Sequence, residues 1–162
     1  MKKKPKIFIA GHNGMIGSAI LKHFRKKKNY KIYVKDRLEL DLTKQETVFK
    51  YLNKIKPDSV IIAAAKVGGI VANNTYRASF LYDNLSIQTN LIHGSYISGV
   101  KNLIFLGSSC IYPRNSKQPI KEKYILSDYL EKTNEPYAIA KIAGLKMCEN
   151  YSTQYNLNYK TL

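Results

Sequence analysis

The sequence predicts an α/β fold with a parallel sheet, and three observations support this class. Short apolar segments typical of strands alternate with longer segments of helical periodicity along the 162 residues. A glycine-rich loop joins the first apolar segment to the first periodic one. Apolar residues make up 44% of the chain, which suits one packed domain. Because strands separated by helices pair in parallel through right-handed crossovers, we expect a Rossmann-like, doubly wound sheet.

The first half of the chain contains three predicted strands and two predicted helices. The strands are expected at residues 6–10, 31–35 and 59–64, and the first helix at residues 15–27. Thr43 and Glu46 have the spacing of a capping box, which predicts a second helix ending near residue 56.

The second half continues the alternation. Gly68 and Gly69 indicate a loop, which is followed by a predicted helix at residues 75–98 and a strand at residues 101–107. Residues 108–135 contain Pro113 and Pro119 and are expected to be mostly loop. A helix at residues 136–155 and the start of another strand at residues 158–162 complete the prediction.

The net charge is unusually positive, at +16 from 27 basic and 11 acidic residues. Much of this charge lies in residues 2–6 and 22–31. The second cluster falls at the end of a predicted helix, where cations complement the helix dipole and face solvent. We therefore interpret the charge mainly as solvated surface that also attracts anionic ligands, and we expect no nucleic-acid partner.

Membrane insertion and metal binding are not expected. The longest apolar stretches, such as residues 60–65, are far shorter than the roughly 20 residues that span a bilayer. The apolar run at residues 7–10 is too short for a signal peptide. Cys110 and Cys148 show no metal-ligand spacing and suit a reducing, cytoplasmic compartment.

The glycine-rich loop predicts a dinucleotide site. Gly11, Gly14 and Gly17 lie between a predicted strand and a predicted helix, where glycines let main-chain N–H groups approach a pyrophosphate. Asp36 and Arg37 follow the second strand, close to the expected position of the adenosine ribose. An acid there favours the 2′-hydroxyl of NAD and an arginine favours the 2′-phosphate of NADP, so both cofactors remain open.

Tyr137 and Lys141 are spaced by one helical turn and so share a helix face. Lowering a phenol pKa from about 10 to near 7 requires about 4 kcal/mol. A cation about 4 Å away supplies this amount at an effective dielectric near 20. Ser108 lies at the carboxyl end of the predicted fourth strand, where ligands bind in such sheets. The pattern predicts proton transfer by Tyr137, assisted by Lys141, beside a nicotinamide.

Three segments carry a more specific resemblance: residues 64–75, 105–113 and 133–144. They resemble the GDP-L-fucose synthase family of extended short-chain dehydrogenases/reductases, and the likeness runs over residues 7–162. The resemblance implies conversion of GDP-4-keto-6-deoxy-D-mannose to GDP-L-fucose, by epimerisation at C3 and C5 and reduction of the C4 ketone with NADPH. It also implies a nucleotide-sugar substrate and, for full-length members, a homodimer.

The resemblance assigns roles to individual residues. Ser108 and Tyr137 would hold the C4 carbonyl oxygen, Lys141 would tune Tyr137 and hold the nicotinamide ribose, and Cys110 would be the epimerisation base. Cys148 is expected in the core. The cofactor would contact Gly11, Asn13, Gly14, Met15, Ile16, Gly17, Asp36, Arg37, Ala64, Ala65 and Lys141.

Two features depart from the family. Asn13 stands where the family usually has an arginine, so NADP preference rests on Arg37 while Asp36 keeps NAD possible. Family members are about twice as long, so residues 1–162 are expected to form an incomplete NAD(P)-binding Rossmann domain. The later strands, the carboxyl-terminal nucleotide-sugar part and the histidine that donates a proton in epimerisation would be absent. We expect His12 to be able to contact the cofactor, and His23 and His93 to be ordinary helix residues.

The expected consequence is some cofactor binding with very weak or no synthase activity for this chain alone. Two alternatives remain open. One is another NAD(P)-dependent nucleotide-sugar epimerase or dehydratase, for which Cys110 would be dispensable. The other is a dinucleotide-binding module without catalysis.

Overall fold

The computed structural model describes residues 4–162, which form one sheet flanked by helices. Lys2 and Lys3 of the first basic cluster lie outside the described residues. The strands are β1 (Lys6–Ala10), β2 (Lys31–Tyr33), β3 (Ser59–Ile62), β4 (Asn102–Phe105) and β5 (Asn158–Thr161). The helices are α1 (Met15–Lys26), α2 (Gln45–Ile55), α3 (Ile70–Thr75), α4 (Arg77–Ile97) and α5 (Glu135–Tyr155). Single 3₁₀ turns occupy Ser109–Ile111 and Glu122–Tyr124.

Within residues 4–162 the five strands lie in the order β2-β1-β3-β4-β5, and every neighbouring pair is parallel. Strand β1 therefore lies inside the sheet, with Ile7 opposite Ile32 on one side and Ser59 on the other. This arrangement confirms the predicted α/β class and the Rossmann-like parallel sheet.

The two faces of the sheet are covered differently. On one face, Ile7, Ile9 and Ile61 pack with Leu21 of α1. On the other face, a larger core gathers side chains from the strands and from α2, α4 and α5. Its members include Phe8, Val48, Leu52, Val60, Ile62, Leu91, Ile92, Leu103, Phe105 and Cys148. Full burial of an aliphatic or phenyl side chain contributes about 1.5–3 kcal/mol, so this second face supplies most of the hydrophobic stabilisation.

Helices α4 and α5 pack against each other and carry polar side chains on their buried faces. The Gln88 amide of α4 donates to the Ala140 carbonyl of α5 at 2.5 Å. Lys141 is only 3% exposed. No helix within residues 4–162 has both the length and the apolar character needed to cross a membrane.

The predicted capping box is wrong. Helix α2 begins after Lys44, and no side chain caps its first turn. The Thr43 hydroxyl instead donates to Asp41 Oδ1 at 2.7 Å, and the Thr43 N–H donates to the same oxygen at 3.0 Å. A carboxylate two residues upstream therefore holds Thr43 in a local turn, which competes with capping.

The loop predicted around Gly68 and Gly69 is partly helical, because residues 70–75 form α3 and the long helix begins only at Arg77. Strands β2, β3 and β4 also end before their predicted limits. Asp36, Ala64 and Ser108 consequently lie in the loops beyond the carboxyl ends of these strands. Ligands bind at that edge in open parallel sheets.

Candidate active site

A cleft of about 440 Å³ lies at the carboxyl ends of β1, β2 and β3, and we call it the glycine-loop cleft. Every predicted cofactor residue except Lys141 lines it: Gly11, Asn13, Gly14, Met15, Ile16, Gly17, Asp36, Arg37, Ala64 and Ala65. His12 lines it as well. The fold thus brings together the predicted cofactor residues from three separate loops.

Glycines are required where the loop turns. Gly11 has a φ of +84°, and a Cβ there would lie 2.5 Å from the Ala64 nitrogen. A Cβ on Gly17 would lie 2.1 Å from the Gly11 carbonyl oxygen. Helix α1 can therefore begin directly against β1, and no acidic side chain is present in the first turn, which the structure describes in full. Main-chain N–H groups at such a helix start favour an anion such as a pyrophosphate.

The corner next to β2 carries the residues that predict cofactor choice. The Asn13 amide donates to Asp36 Oδ1 at 2.6 Å, and His12 Nε2 lies 3.4 Å from the same oxygen. Arg37 is exposed and also lines the cleft. The structure therefore keeps both an anionic and a cationic side chain at this corner.

A group of side chains that was not predicted from the sequence fixes the loop after β3. The Lys66 ammonium donates to Asp83 Oδ2 at 2.7 Å and to Ser79 Oγ at 3.0 Å. The buried Asn84 amide accepts from the Lys66 N–H at 2.8 Å and donates to its carbonyl at 3.0 Å. Lys66 and Asp83 line the glycine-loop cleft. Lys66 was detectable because it follows β3, whereas no local pattern singles out Asp83 within α4.

A second cavity of about 240 Å³ contains the predicted chemical groups, and we call it the serine–tyrosine cavity. It is lined by Val67, Gly68, Asn73, Ser108, Ser109, Cys110, Asn134 and Tyr137. Val67 lines both cavities, so the two adjoin. The Cys110 thiol donates to Ser108 Oγ at 3.2 Å. Ser108, Cys110 and Tyr137 are thus brought together, while Asn73 and Asn134 were not foreseen.

Lys141 lies behind this cavity and is not among its lining residues. Its ammonium donates to the Leu106 carbonyl at 2.8 Å. It lies 4.6 Å from the ring centroid of Phe105 and 5.8 Å from that of Tyr137. Burial lowers the pKa of Lys141 to about 8, and the nearby charge of ionised Cys110 partly opposes this.

The expected lowering of the Tyr137 pKa is wrong for this structure. Burial raises the pKa of Tyr137, the charge of Cys110 acts in the same direction, and the Ser108 hydroxyl partly opposes both. The Lys141 ammonium is held by the Leu106 carbonyl rather than by the phenol oxygen. Burial also raises the pKa of Cys110, against opposing effects of Ser108 and Lys141. Tyr137 and Cys110 therefore both keep their protons at neutral pH.

The remaining histidines and the second cysteine lie elsewhere. His23 is part of α1, and His93 of α4 is hydrogen-bonded through Nδ1 to the Tyr151 hydroxyl at 2.7 Å. Cys148 is 1% exposed in the core, where burial raises its pKa to about 12. Among the described histidines, only His12 lines the glycine-loop cleft.

Comparison with known proteins gives relatives that agree with one another. The model of the "NAD dependent epimerase/dehydratase family" matches residues 7–162. The chain is 54% identical over 154 residues to GDP-L-fucose synthase of Sinorhizobium fredii, covering 95% of this chain and 49% of that protein. It is 49% identical over 159 residues to GDP-L-fucose synthase of Escherichia coli, covering 98% of this chain and 50% of the relative. These matches confirm the predicted resemblance.

A solved structure extends the likeness to the fold. It is described as MlghC, GDP-mannoheptose C4 reductase from Campylobacter jejuni with NADP bound, and is 42% identical with a TM-score of 0.94. The match covers 99% of this chain and 51% of that one. The chain thus spans about half the length of the relatives it matches.

Proposed function

Because the chain belongs to the NAD dependent epimerase/dehydratase family, we propose that it binds NADPH and reduces the C4 ketone of a GDP-linked sugar. The adjoining cavities carry this proposal. Val67 lies in the wall of both, so a dinucleotide along the glycine-loop cleft would end beside Ser108, Cys110 and Tyr137. We infer that residues 1–162 form the cofactor-binding domain, and that further sugar contacts come from the part equivalent to the relatives' other half.

The residues of the glycine-loop cleft fit a dinucleotide. A Cβ at Gly11 or Gly17 would collide with main-chain atoms, so this wall is bare backbone that a pyrophosphate can approach. Arg37 would pair with the 2′-phosphate of NADP, the cofactor bound in the Campylobacter jejuni relative. Asp36 would accept from the 2′-hydroxyl of NAD, so a weaker affinity for NADH is expected.

The reduction needs a hydride and a proton at the ketone, and the bound nicotinamide supplies the hydride. Ser108 would donate a hydrogen bond to the C4 carbonyl oxygen and orient the ketone. Tyr137 would transfer its proton to that oxygen. The raised pKa of Tyr137 means that the proton is present at neutral pH. Lys141, behind Tyr137, would stabilise the phenolate that remains.

Epimerisation at C3 and C5 is the finer part of the proposal. Cys110, as its thiolate, would remove the proton next to the ketone, and the Ser108 and Tyr137 hydroxyls would hold the resulting enolate oxygen. An acid from the part equivalent to the relatives' other half would return a proton to the opposite face of the sugar carbon. The half-buried Cys110 thiol must first lose its own proton to solvent, and Lys141 favours the thiolate electrostatically. Assembly as a homodimer and a cytoplasmic location remain predictions.

A second candidate is a GDP-sugar C4 reductase that does not epimerise. The likeness to the GDP-mannoheptose C4 reductase supports this alternative. The two candidates share Ser108, Tyr137 and Lys141 and differ in the need for Cys110.

Proton exchange in D₂O separates these functions. GDP-4-keto-6-deoxy-D-mannose is incubated with the protein without NADPH, and loss of the H3 and H5 signals is followed by NMR. An epimerase exchanges both protons, Cys110→Ser abolishes the exchange, and the matched control Cys148→Ser retains it. NADPH oxidation without exchange would favour the simple reductase.

Binding of NADPH is measured first, by the fluorescence of the reduced nicotinamide. Binding with neither exchange nor oxidation would favour a non-catalytic module. Absence of binding would contradict the proposal as a whole.

A further inference from the structure

The environment of the Lys141 ammonium is unusual for a buried cation. The ion pairs within residues 4–162 do not include Lys141, although it is 3% exposed. Its nearest partners come from one strand and its continuation: the Phe105 ring at 4.6 Å and the Leu106 carbonyl at 2.8 Å. The Tyr137 ring of its own helix lies farther away, at 5.8 Å. A buried charge without a carboxylate needs such compensation, because desolvation strongly disfavours the charged form.

Helix α5 packs closely against the Phe105 ring. The ring is completely buried, and a Cβ on Gly144 would lie 2.6 Å from the ring carbon Cζ. Only glycine therefore allows α5 to approach the ring at this position, three residues after Lys141. The same Cβ would lie 2.9 Å from Gln88 Oε1. Gln88 in turn donates to the Ala140 carbonyl, immediately before Lys141.

We propose that Phe105 is a positioning residue, whose ring face holds the Lys141 ammonium in its charged form beside Tyr137. The ring touches neither cavity, so it acts only through Lys141. The role of the ammonium in catalysis rests on the proposed function. The contact itself belongs to this chain and can be tested without cofactor or substrate.

The physical basis is the quadrupole of the ring. The negative face of a phenyl group attracts a cation within about 6 Å, and the attraction strengthens when water is excluded. The Leu106 carbonyl supplies only one of the hydrogen bonds that the three ammonium donors can make. The titratable groups facing Lys141 are Cys110 from the 3₁₀ turn and Tyr137 from its own helix. Neither group carries a positive charge, so neither repels the ammonium. Strand β4 contributes the Phe105 ring to this environment.

The test replaces the ring by one of nearly the same shape with a depleted face. Phe105 is exchanged for 3,4,5-trifluorophenylalanine, and separately for leucine, in protein labelled with ¹³C at the lysine Cε. The Lys141 signal is identified by its absence in Lys141→Met. Its titration midpoint in the ligand-free chain is expected to fall by about one pH unit with either replacement.

Phe8 provides the matched control. It is 1% exposed in the same core as Phe105, and the Lys141 ammonium makes its ring contacts with Phe105 and Tyr137 instead. The same two replacements at Phe8 disturb core packing without altering the cation, so the Lys141 midpoint should stay unchanged. An unchanged midpoint in the trifluoro-Phe105 protein would overturn the proposal, as would equal shifts from Phe8 and Phe105.

The NMR titration separates this proposal from the proposed function. A shifted midpoint in a protein that fails to bind NADPH would support the role of Phe105 and contradict the cofactor assignment. If NADPH binds, the Lys141 signal should move on binding in the natural protein. The pH at which NADPH affinity falls should then decrease along with the midpoint in the trifluoro-Phe105 protein.

Discussion

The glycine-loop cleft and the serine–tyrosine cavity adjoin at Val67 but are built from different materials. The cleft owes its shape to main chain, because Gly11 and Gly17 leave no room for a Cβ. The cavity owes its chemistry to half-buried side chains, and burial raises the pKa of two of them, Cys110 and Tyr137. Substitutions in the two regions should therefore have different consequences. Changes at the glycines of the cleft should affect folding and binding together, whereas changes at the cavity should affect proton transfer and leave the fold intact.

Tyr137→Phe is expected to have the largest effect and would sharpen this comparison most. Removing the phenol proton should slow ketone reduction by about 10²–10⁴-fold, the usual contribution of a general acid. NADPH affinity and thermal unfolding should stay close to those of the natural protein. Stopped-flow NADPH oxidation measures the rate, with Tyr82→Phe, an exposed residue of α4, as the control. Equal losses in the two variants would break the distinction.

Gly17→Ala should show the opposite behaviour. The new Cβ would lie 2.1 Å from the Gly11 carbonyl oxygen, so the loop must move. We expect destabilisation by about 3 kcal/mol and loss of NADPH binding. Gly69→Ala is the control, since a Cβ there has no atom within 4 Å. Unchanged thermal unfolding and NADPH affinity in Gly17→Ala would show that the cleft is not built from backbone as described.

Lys141→Met tests the cost of the charge behind the cavity. The pKa of Lys141 falls to about 8 in the folded chain, below its ordinary value, so folding disfavours the ammonium. The variant should therefore be more stable by about 3 kcal/mol at neutral pH. The gain should be full below pH 8, shrink as the pH rises toward the ordinary lysine pKa, and vanish above it. Urea unfolding at several pH values measures this, and a gain independent of pH would contradict it.

Asp36→Asn should have the smallest effect, because it changes one exposed charge at the rim of the cleft. Loss of the carboxylate removes a repulsion toward a 2′-phosphate and an acceptor for a 2′-hydroxyl. The ratio of NADPH to NADH affinity should rise by about tenfold. Asp58→Asn makes the same change in net charge at the opposite end of the strands, where it accepts from the Lys6 N–H. A similar ratio change in both variants would point to general charge alone.

Much of the fold followed from local patterns. Apolar runs and helical periodicity located the five strands and the long helices, because these signals depend on each segment alone. The capping box failed because Asp41, outside the motif, binds Thr43. Helix α3 was missed because its six residues follow two glycines and show too little periodicity to detect.

The features of the site that could be predicted from the sequence differ between the two cavities. The glycines could be located from the sequence because their spacing between a strand and a helix forms a local pattern. The raised pKa of Tyr137 could not, since it depends on burial and on the charge of the neighbouring Cys110. Asp83 was equally invisible, because only the packing of α4 against the loop after β3 brings it to Lys66.

The strand order also bears on how the molecule is made. Strand β1 is synthesised first and pairs with β2, and then β3, β4 and β5 are added in turn on its other side. Ile7 meets Ser59 only after α1, β2 and α2 have been made. A chain whose strands pair as they leave the ribosome would present an unpaired strand edge at each stage, first on β1 and later on β3 and β4. Until the next strand arrives, that edge is where a chaperone would bind or where two nascent chains would stick together.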